Sequence, residues 1–292
     1  MDTCRQLSHF THAMTITTEP LKSSLLSDAV LADTTVVFNS PWRWGVPLLA
    51  LLALFVLLVS GQNVALFHFM NRIMSYANDG LWVHLSLVGD GQFVILFVLP
   101  FLGRRPDVVW QYVLATILAG LFVYGMKEVF STLRPPAALP AGSFHLIGPD
   151  LQNNAFPSGH TTALFAVSGL VCLQRISKWF KFAVLLLAVF VGFSRIASGV
   201  HWPLDVLGAA LGGWIVAMLS VWISQHWRAG SNVWPQRVFA LIITPLSVWA
   251  VWTLWHYYEK VYPGTGLLQV LTLAICLALS VPGQLRLFNL KR

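Results

Sequence analysis

The sequence predicts an all-α protein, a polytopic bundle of membrane-spanning helices. Three observations carry this. Of 292 residues, 57% are hydrophobic and only 10% are charged, against about 25% charged in a soluble globular domain. The apolar residues come in continuous runs of about 20, the length that crosses a bilayer as a helix. Many of the 13 Trp stand near the ends of those runs, where an aromatic belt lies. Mean hydropathy is +0.70.

The elements follow in order. Residues 1–40 are polar and Thr-rich and read as a tail, with 25–38 lying on the bilayer surface. The tail lacks the basic-then-apolar pattern of a cleaved signal peptide, and nothing near Cys4 suggests lipoprotein processing. Eight spans are predicted, at 44–60, 81–103, 108–126, 158–175, 181–197, 203–224, 238–256 and 266–285. Gly89-Asp90-Gly91 interrupts the second. Between the first two spans, 62–78 alternates apolar and polar residues in a helical rhythm, as a surface helix does. The chain thus divides into a tail (1–40), a membrane core (41–225) and two additional C-terminal spans (226–292), which read as a pair packed on that core. Cys4, Cys172 and Cys276 share no metal-ligand or redox spacing, and no disulfide is expected.

The loops then alternate between two sides. One receives Arg5, Lys22, Arg43, Arg104, Arg105, Arg175, Lys178, Lys181, Arg228, Arg237, Arg286, Lys291 and Arg292, thirteen of the 18 basic residues. The other holds Arg72, Lys127, Arg134, Arg195 and Lys260. Basic loops stay in the cytoplasm, so both termini are expected there. The net charge of +7 is divided among loops, with no basic stripe interleaved with aromatics. Nucleic acid is therefore not an expected partner.

Three polar clusters interrupt the lipid-like chain, all on the sparsely charged side. They are Lys127-x6-Arg134-Pro135, Pro157-Ser158-Gly159-His160 and Ser194-Arg195-x5-His201-x3-Asp205. Charge beside a span is costly and marks function. Pro203 suits the first turn of a helix. That start predicts His201 and Asp205 one turn apart on a shared face, the carboxylate holding one ring nitrogen and turning the other outward. A neutral imidazole held so is a nucleophile or a base. Arg195, Lys127 and Arg134 are fixed cations suited to phosphate oxygens. Pro157-Ser158-Gly159 opens an apolar run, and free N–H groups at such a helix start favour an anion, with His160 beside it. Each cluster alone has a plainer reading, as a helix cap, a snorkelling anchor or a loop turn. Together they make a kit for gripping a phosphate and splitting an ester from it.

The three clusters match, residue for residue, the signature of the type 2 phosphatidic acid phosphatase superfamily, which the chain resembles over roughly 81–225. The resemblance implies a six-helix core, a phosphohistidine intermediate and no required metal or other cofactor. By position, His201 resembles the nucleophile, Asp205 its orienting partner and His160 the general acid. Lys127, Arg134, Ser158, Gly159 and Arg195 resemble the phosphate grip. It further implies a lipid phosphatase, and the split of basic residues above puts its site at the periplasmic leaflet of a bacterial inner membrane. Its substrate would be a lipid phosphate or diphosphate: undecaprenyl diphosphate, phosphatidic acid, phosphatidylglycerol phosphate or a lipid A phosphate.

Two alternatives stand beside this one. A lipid phosphotransferase would use the same phosphohistidine with a lipid acceptor in place of water. A non-catalytic lipid-binding or transport protein would show an inverted repeat, which the sequence lacks. Soluble haloperoxidases share a related vanadate-binding pattern, but the spans count against that class. Asp90 and His84 read first as helix-packing residues, with a place in the lining of the site as the second reading. Glu128 points away from Lys127 on a helix. Asn153 and Asn154 sit where a headgroup could touch them.

Overall fold

The computed structural model describes residues 41–289. The predicted tail, its surface segment and Cys4 lie outside the described residues. Among the described residues all regular structure is helical. In chain order, α1 is Pro41–Ser60, α2 Asn63–Met74 and α3 Asp79–Gly89; α4, Gly91–Val94, continues as a 3-10 helix over Ile95–Phe101. α5 is Pro106–Phe130, and the one-turn α6 is Pro135–Ala138. α7 is Gly159–Cys172, α8 Lys178–Ala197, α9 Pro203–His226, α10 Val233–Val261 and α11 Gly266–Leu287.

Among the described residues six helices, α1, α5, α8, α9, α10 and α11, are long and apolar enough to cross a membrane. The other two predicted spans differ from expectation for identifiable reasons. The second is broken: α3 and the α4 segment meet at 59°. Asp90 takes extended backbone angles there, and its side chain accepts the Gln92 N–H at 2.9 Å. Asp90 thus ends one helix and caps the next. The fourth span shortens to the 14 residues of α7, about 21 Å of rise against an apolar bilayer thickness of about 30 Å. Lys181 caps it. This lysine counted as an ordinary loop cation in sequence, yet it is buried and its Nζ donates to the Cys172 carbonyl at 2.7 Å. A cation on the last carbonyls of a helix satisfies them and suits the helix dipole.

The predicted surface helix α2 forms, but one side of it is core. Phe67 is fully buried, edge-on to Trp202 with ring centres 5.1 Å apart. The Asn71 amide reaches the carbonyls of His145, Ile196 and Ala197 at 2.9, 3.0 and 3.1 Å. That single side chain caps the end of α8 and ties it to the 140s loop, which fixes the polar end of the bundle.

At the centre, α7 packs against α9 through small residues. A Cβ on Gly213 would stand 2.5 Å from the Thr162 carbonyl oxygen. Without a hydrophobic drive between helices in lipid, such close backbone approach is what holds them. The C-terminal helices also join the core. Trp110 of α5 stacks on Phe239 of α10 and donates to the Trp227 carbonyl at 2.7 Å. Gly103, in the left-handed region at φ +67°, lies against Gly283 of α11 backbone to backbone, with no room for a Cβ on either. Cys172 and Cys276 are buried free thiols.

Candidate active site

His201 stands in the turn between α8 and α9. Pro203 starts α9, so His201 precedes the helix and does not share its face with Asp205, as the sequence suggested. The pair forms another way. Asp205 sits in the first turn and folds back: its Oδ2 accepts the Trp202 N–H at 2.8 Å and lies 3.3 Å from His201 Nδ1. Both residues are nearly inaccessible, at 2% and 3% exposure. A carboxylate held by a backbone donor cannot swing away, so Nδ1 is committed and Nε2 is the free nitrogen. Burial first, then the charges of Arg134 and Arg195 with lesser push from His160 and Lys127, hold the His201 imidazole well below its ordinary pKa of 6.5. It is therefore neutral at physiological pH.

Arg134 follows α5 and is only 8% exposed. Its guanidinium donates to the carbonyls of Asn153 at 2.8 Å, Asn154 at 3.3 Å and Val200 at 3.4 Å. That latches the loop before α7 to the turn before α9. Three of its five N–H donors are spent, and two remain. The contacts at 153 and 154 are backbone carbonyls, not the side chains that sequence put near a headgroup. Arg195, in the last turn of α8, is also 8% exposed. Its Nη1 donates to the Ser86 hydroxyl, while its buried Nε–H finds no partner among the described residues. A desolvated guanidinium with a spare donor is suited to an anion.

These side chains share a cavity of about 230 Å³, small beside the roughly 300–1,000 Å³ of a pocket for a drug-sized molecule. Of the predicted residues, Lys127, Arg134, Gly159, His160, Arg195 and His201 line it. Ser158 and Asp205 stand behind its wall. Ser158 is fully buried; its hydroxyl accepts from Thr161 at 3.0 Å, and its N–H donates to the Asp205 carbonyl at 3.3 Å. The start of α7 is thereby bonded to the start of α9, which places His160 and His201 on one cavity. Glu128 is exposed. His84 packs as expected, its Nδ1 2.6 Å from the Gly80 carbonyl oxygen.

Other lining residues differ from expectation. Asp90, for which packing was the first reading and site lining the second, lines the cavity, with its Oδ2 3.5 Å from His160 Nε2. Ser86, Tyr257 and Tyr258 also line it. Tyr258 belongs to α10, beyond the signature clusters, and its hydroxyl lies 3.2 Å from His160 Nε2. The interruption at Gly89-Asp90-Gly91 was a signal for Asp90. Nothing in sequence set Tyr258 apart from an interfacial tyrosine.

A second, mostly apolar groove of about 410 Å³ runs between α5 and α7, and Lys127, Gly159 and His160 line both it and the cavity. Among the described residues no group of three His, Cys, Asp or Glu side chains stands close enough together to hold a metal ion.

The sequence profile of the PAP2 superfamily matches residues 108–229. Over 193 residues the chain is 33% identical to an undecaprenyl-diphosphatase of Sulfolobus acidocaldarius, covering 61% of this chain and 88% of that one. It is 28% identical over 195 residues to a lipid A 1-phosphatase of Rhizobium etli, covering 60% and 82% respectively. Among solved structures, that of Aquifex aeolicus LpxE matches with 32% identity and a TM-score of 0.48, over 55% of this chain and 94% of the other.

Proposed function

The chain belongs to the PAP2 superfamily, and from that premise we propose that it is a membrane phosphoric ester hydrolase that removes phosphate from a lipid phosphomonoester or diphosphate. One observation carries this reading: His201, oriented by Asp205, stands in a headgroup-sized cavity with three cationic side chains. The groove that shares Lys127, Gly159 and His160 with the cavity supports a lipid over a soluble ester, because a hydrocarbon chain can lie in it while the phosphate sits among the cations.

The steps follow from the groups present. Lys127, Arg134 and Arg195 hold the phosphate oxygens, with the backbone at Gly159 closing the grip and Ser158 supporting it from behind. His201 Nε2 attacks phosphorus, and the charge that develops on the ring faces Asp205. His160 gives its proton to the departing oxygen. Water then attacks the phosphohistidine, His160 takes a proton from it, and phosphate leaves. The distribution of basic residues supports a cytoplasmic position for both termini and a site at the periplasmic face of the inner membrane.

The test is phosphate release by the purified chain from a panel of lipid phosphates and diphosphates, together with labelling by a radioactive lipid phosphate. Acid-labile, base-stable label that disappears in His201→Ala supports the mechanism. Label taken up equally by that variant refutes the nucleophile, and no release from any lipid on the panel refutes the substrate class.

A further inference from the structure

A general acid at His160 meets an electrostatic difficulty. To protonate a leaving oxygen its imidazole must carry a proton, yet it lines one cavity with three cations. Like charges nearby disfavour the charged ring. The groups facing it come from every wall: Lys127 of α5, Arg134 beyond it, Arg195 of α8 and His201 before α9. Tyr257 and Tyr258 of α10 complete the set, with Asp90 at the break between α3 and α4. Among the described lining residues, Asp90 is the one carboxylate.

Its placement is specific. Asp90 Oδ1 accepts the Gln92 N–H at 2.9 Å, which fixes the side chain and leaves Oδ2 toward the cavity. The Tyr258 hydroxyl donates to Oδ2 at 3.4 Å, and both oxygens lie within 3.5 Å of His160 Nε2. Carboxylate, phenol and imidazole therefore form a closed triangle. Its corners come from the broken helix, the start of α7 and a C-terminal helix outside the matched family segment.

We propose that Asp90 and Tyr258 are positioning residues for His160, the carboxylate holding the imidazole in its protonated, proton-donating form and the phenol fixing the ring. The proposal rests on His160 being the general acid. As the P–O bond breaks, its electron pair goes to the leaving oxygen and the His160 proton follows, leaving a neutral ring. In the second half-reaction the attacking water returns a proton to that ring. Asp90 stays ionised throughout and gives up nothing.

The experiment uses the full chain in detergent micelles and two substrates, phosphatidic acid and p-nitrophenyl phosphate. The first has an alkoxide leaving group that needs a proton; the second leaves without one. His160→Ala is expected to lose about 10²–10⁴-fold in kcat on the lipid and far less on the aryl ester. Asp90→Asn is expected to lose about 10–100-fold on the lipid and only severalfold on the aryl ester. Its basic limb in the kcat–pH profile should move down by about 1 unit or more, because an opposite charge has been removed. Tyr258→Phe should show the same pattern at about 3–10-fold, near the value of one hydrogen bond. If His160→Ala loses both substrates alike, the general acid itself falls, and the proposal with it. If His160→Ala discriminates but Asp90→Asn loses both equally with an unmoved basic limb, the proposal alone is overturned. Should Asp90→Asn fail to fold, an unchanged leaving-group ratio and pH profile in Tyr258→Phe overturns it equally.

Discussion

Asp205→Asn isolates charge from geometry. In the folded chain one oxygen, Oδ2, does both jobs: it accepts the Trp202 N–H at 2.8 Å and faces His201 Nδ1 at 3.3 Å. An asparagine carbonyl in that place can keep both contacts, so the variant should fold and bind. What it loses is the attraction between a carboxylate and a ring that, in the proposed mechanism, becomes cationic as it takes the phosphoryl group. Two unit charges about 4 Å apart at an effective dielectric of about 20 attract by about 4 kcal/mol. That corresponds to about 10³-fold in rate, and the amide dipole returns some of it, so kcat should fall by about 10²–10³-fold. Because Asp205 lies behind the cavity wall, KM should stay within about threefold of the parent, the pattern of an interaction made only in the transition state. The assay is initial-rate phosphate release from a lipid phosphate in mixed micelles, with a thermal melt to establish folding. A folded variant whose kcat lies within about threefold of the parent would refute the claim that the carboxylate stabilises a charged histidine.

Other predictions follow from the same geometry. His201 is held below its ordinary pKa of 6.5 by burial and neighbouring cations, so it stays neutral when the unfolded chain's histidine begins to protonate. Stability should therefore fall as pH drops through 6.5; the His201 limb of kcat/KM should lie below that pH, and a limb at or above it counts against the assignment. Activity in excess chelator should be nearly unchanged, because in the proposed mechanism Lys127, Arg134 and Arg195 neutralise the phosphate; loss on chelation with recovery on adding Mg²⁺ would contradict this. Arg134→Lys keeps the charge but cannot span the carbonyls of Asn153, Asn154 and Val200. Unfolding in detergent should show a loss of about 2–3 kcal/mol, and equal stability would remove Arg134 as a latch. Gly283→Ala drives a methyl into the Leu102 carbonyl, costing about 1–3 kcal/mol as overpacking; a melt identical to the parent would mean α11 is not held there.

The legibility of the sequence tracked physical cost. Lys127, Arg134, Arg195, His160 and His201 stood out because polar groups at the ends of apolar runs are expensive, and their spacing had a chemical reading. Six spans were legible for the same reason, as long uninterrupted apolar segments. What escaped was whatever depended on a distant partner. Hydropathy carries no information that Lys181 turns back onto the Cys172 carbonyl and so caps α7. The apolar rhythm of α2 suggested a membrane surface, but Phe67 and Asn71 face protein. His201 and Asp205 lie together, as their spacing suggested, but through a different local geometry, since Pro203 starts the helix after the histidine. Tyr258 was out of reach altogether: it meets Asp90 across 168 positions of chain, and a tyrosine at a span end already has an interfacial explanation.

The C-terminal helices, which in sequence looked like bystanders, answer a requirement that the break at Asp90 creates. A helix interrupted at membrane depth exposes backbone donors and acceptors that lipid cannot satisfy, so such a break persists only where protein covers it or it lines a polar cavity. Here it does both. Asp90 faces the cavity, and α10 packs against the break, with Thr253 Oγ1 donating to Gln92 Oε1 at 2.7 Å and Tyr258 donating to Asp90. Just beyond the 3-10 segment, the turn at Gly103 is covered in turn by Gly283 of α11. An unbroken second helix would need no such cover and would leave no carboxylate beside His160. The interruption, the added helices and the proposed environment of the general acid are therefore one structural solution. A chain truncated after α9 should lose the support of its second helix as well as Tyr258.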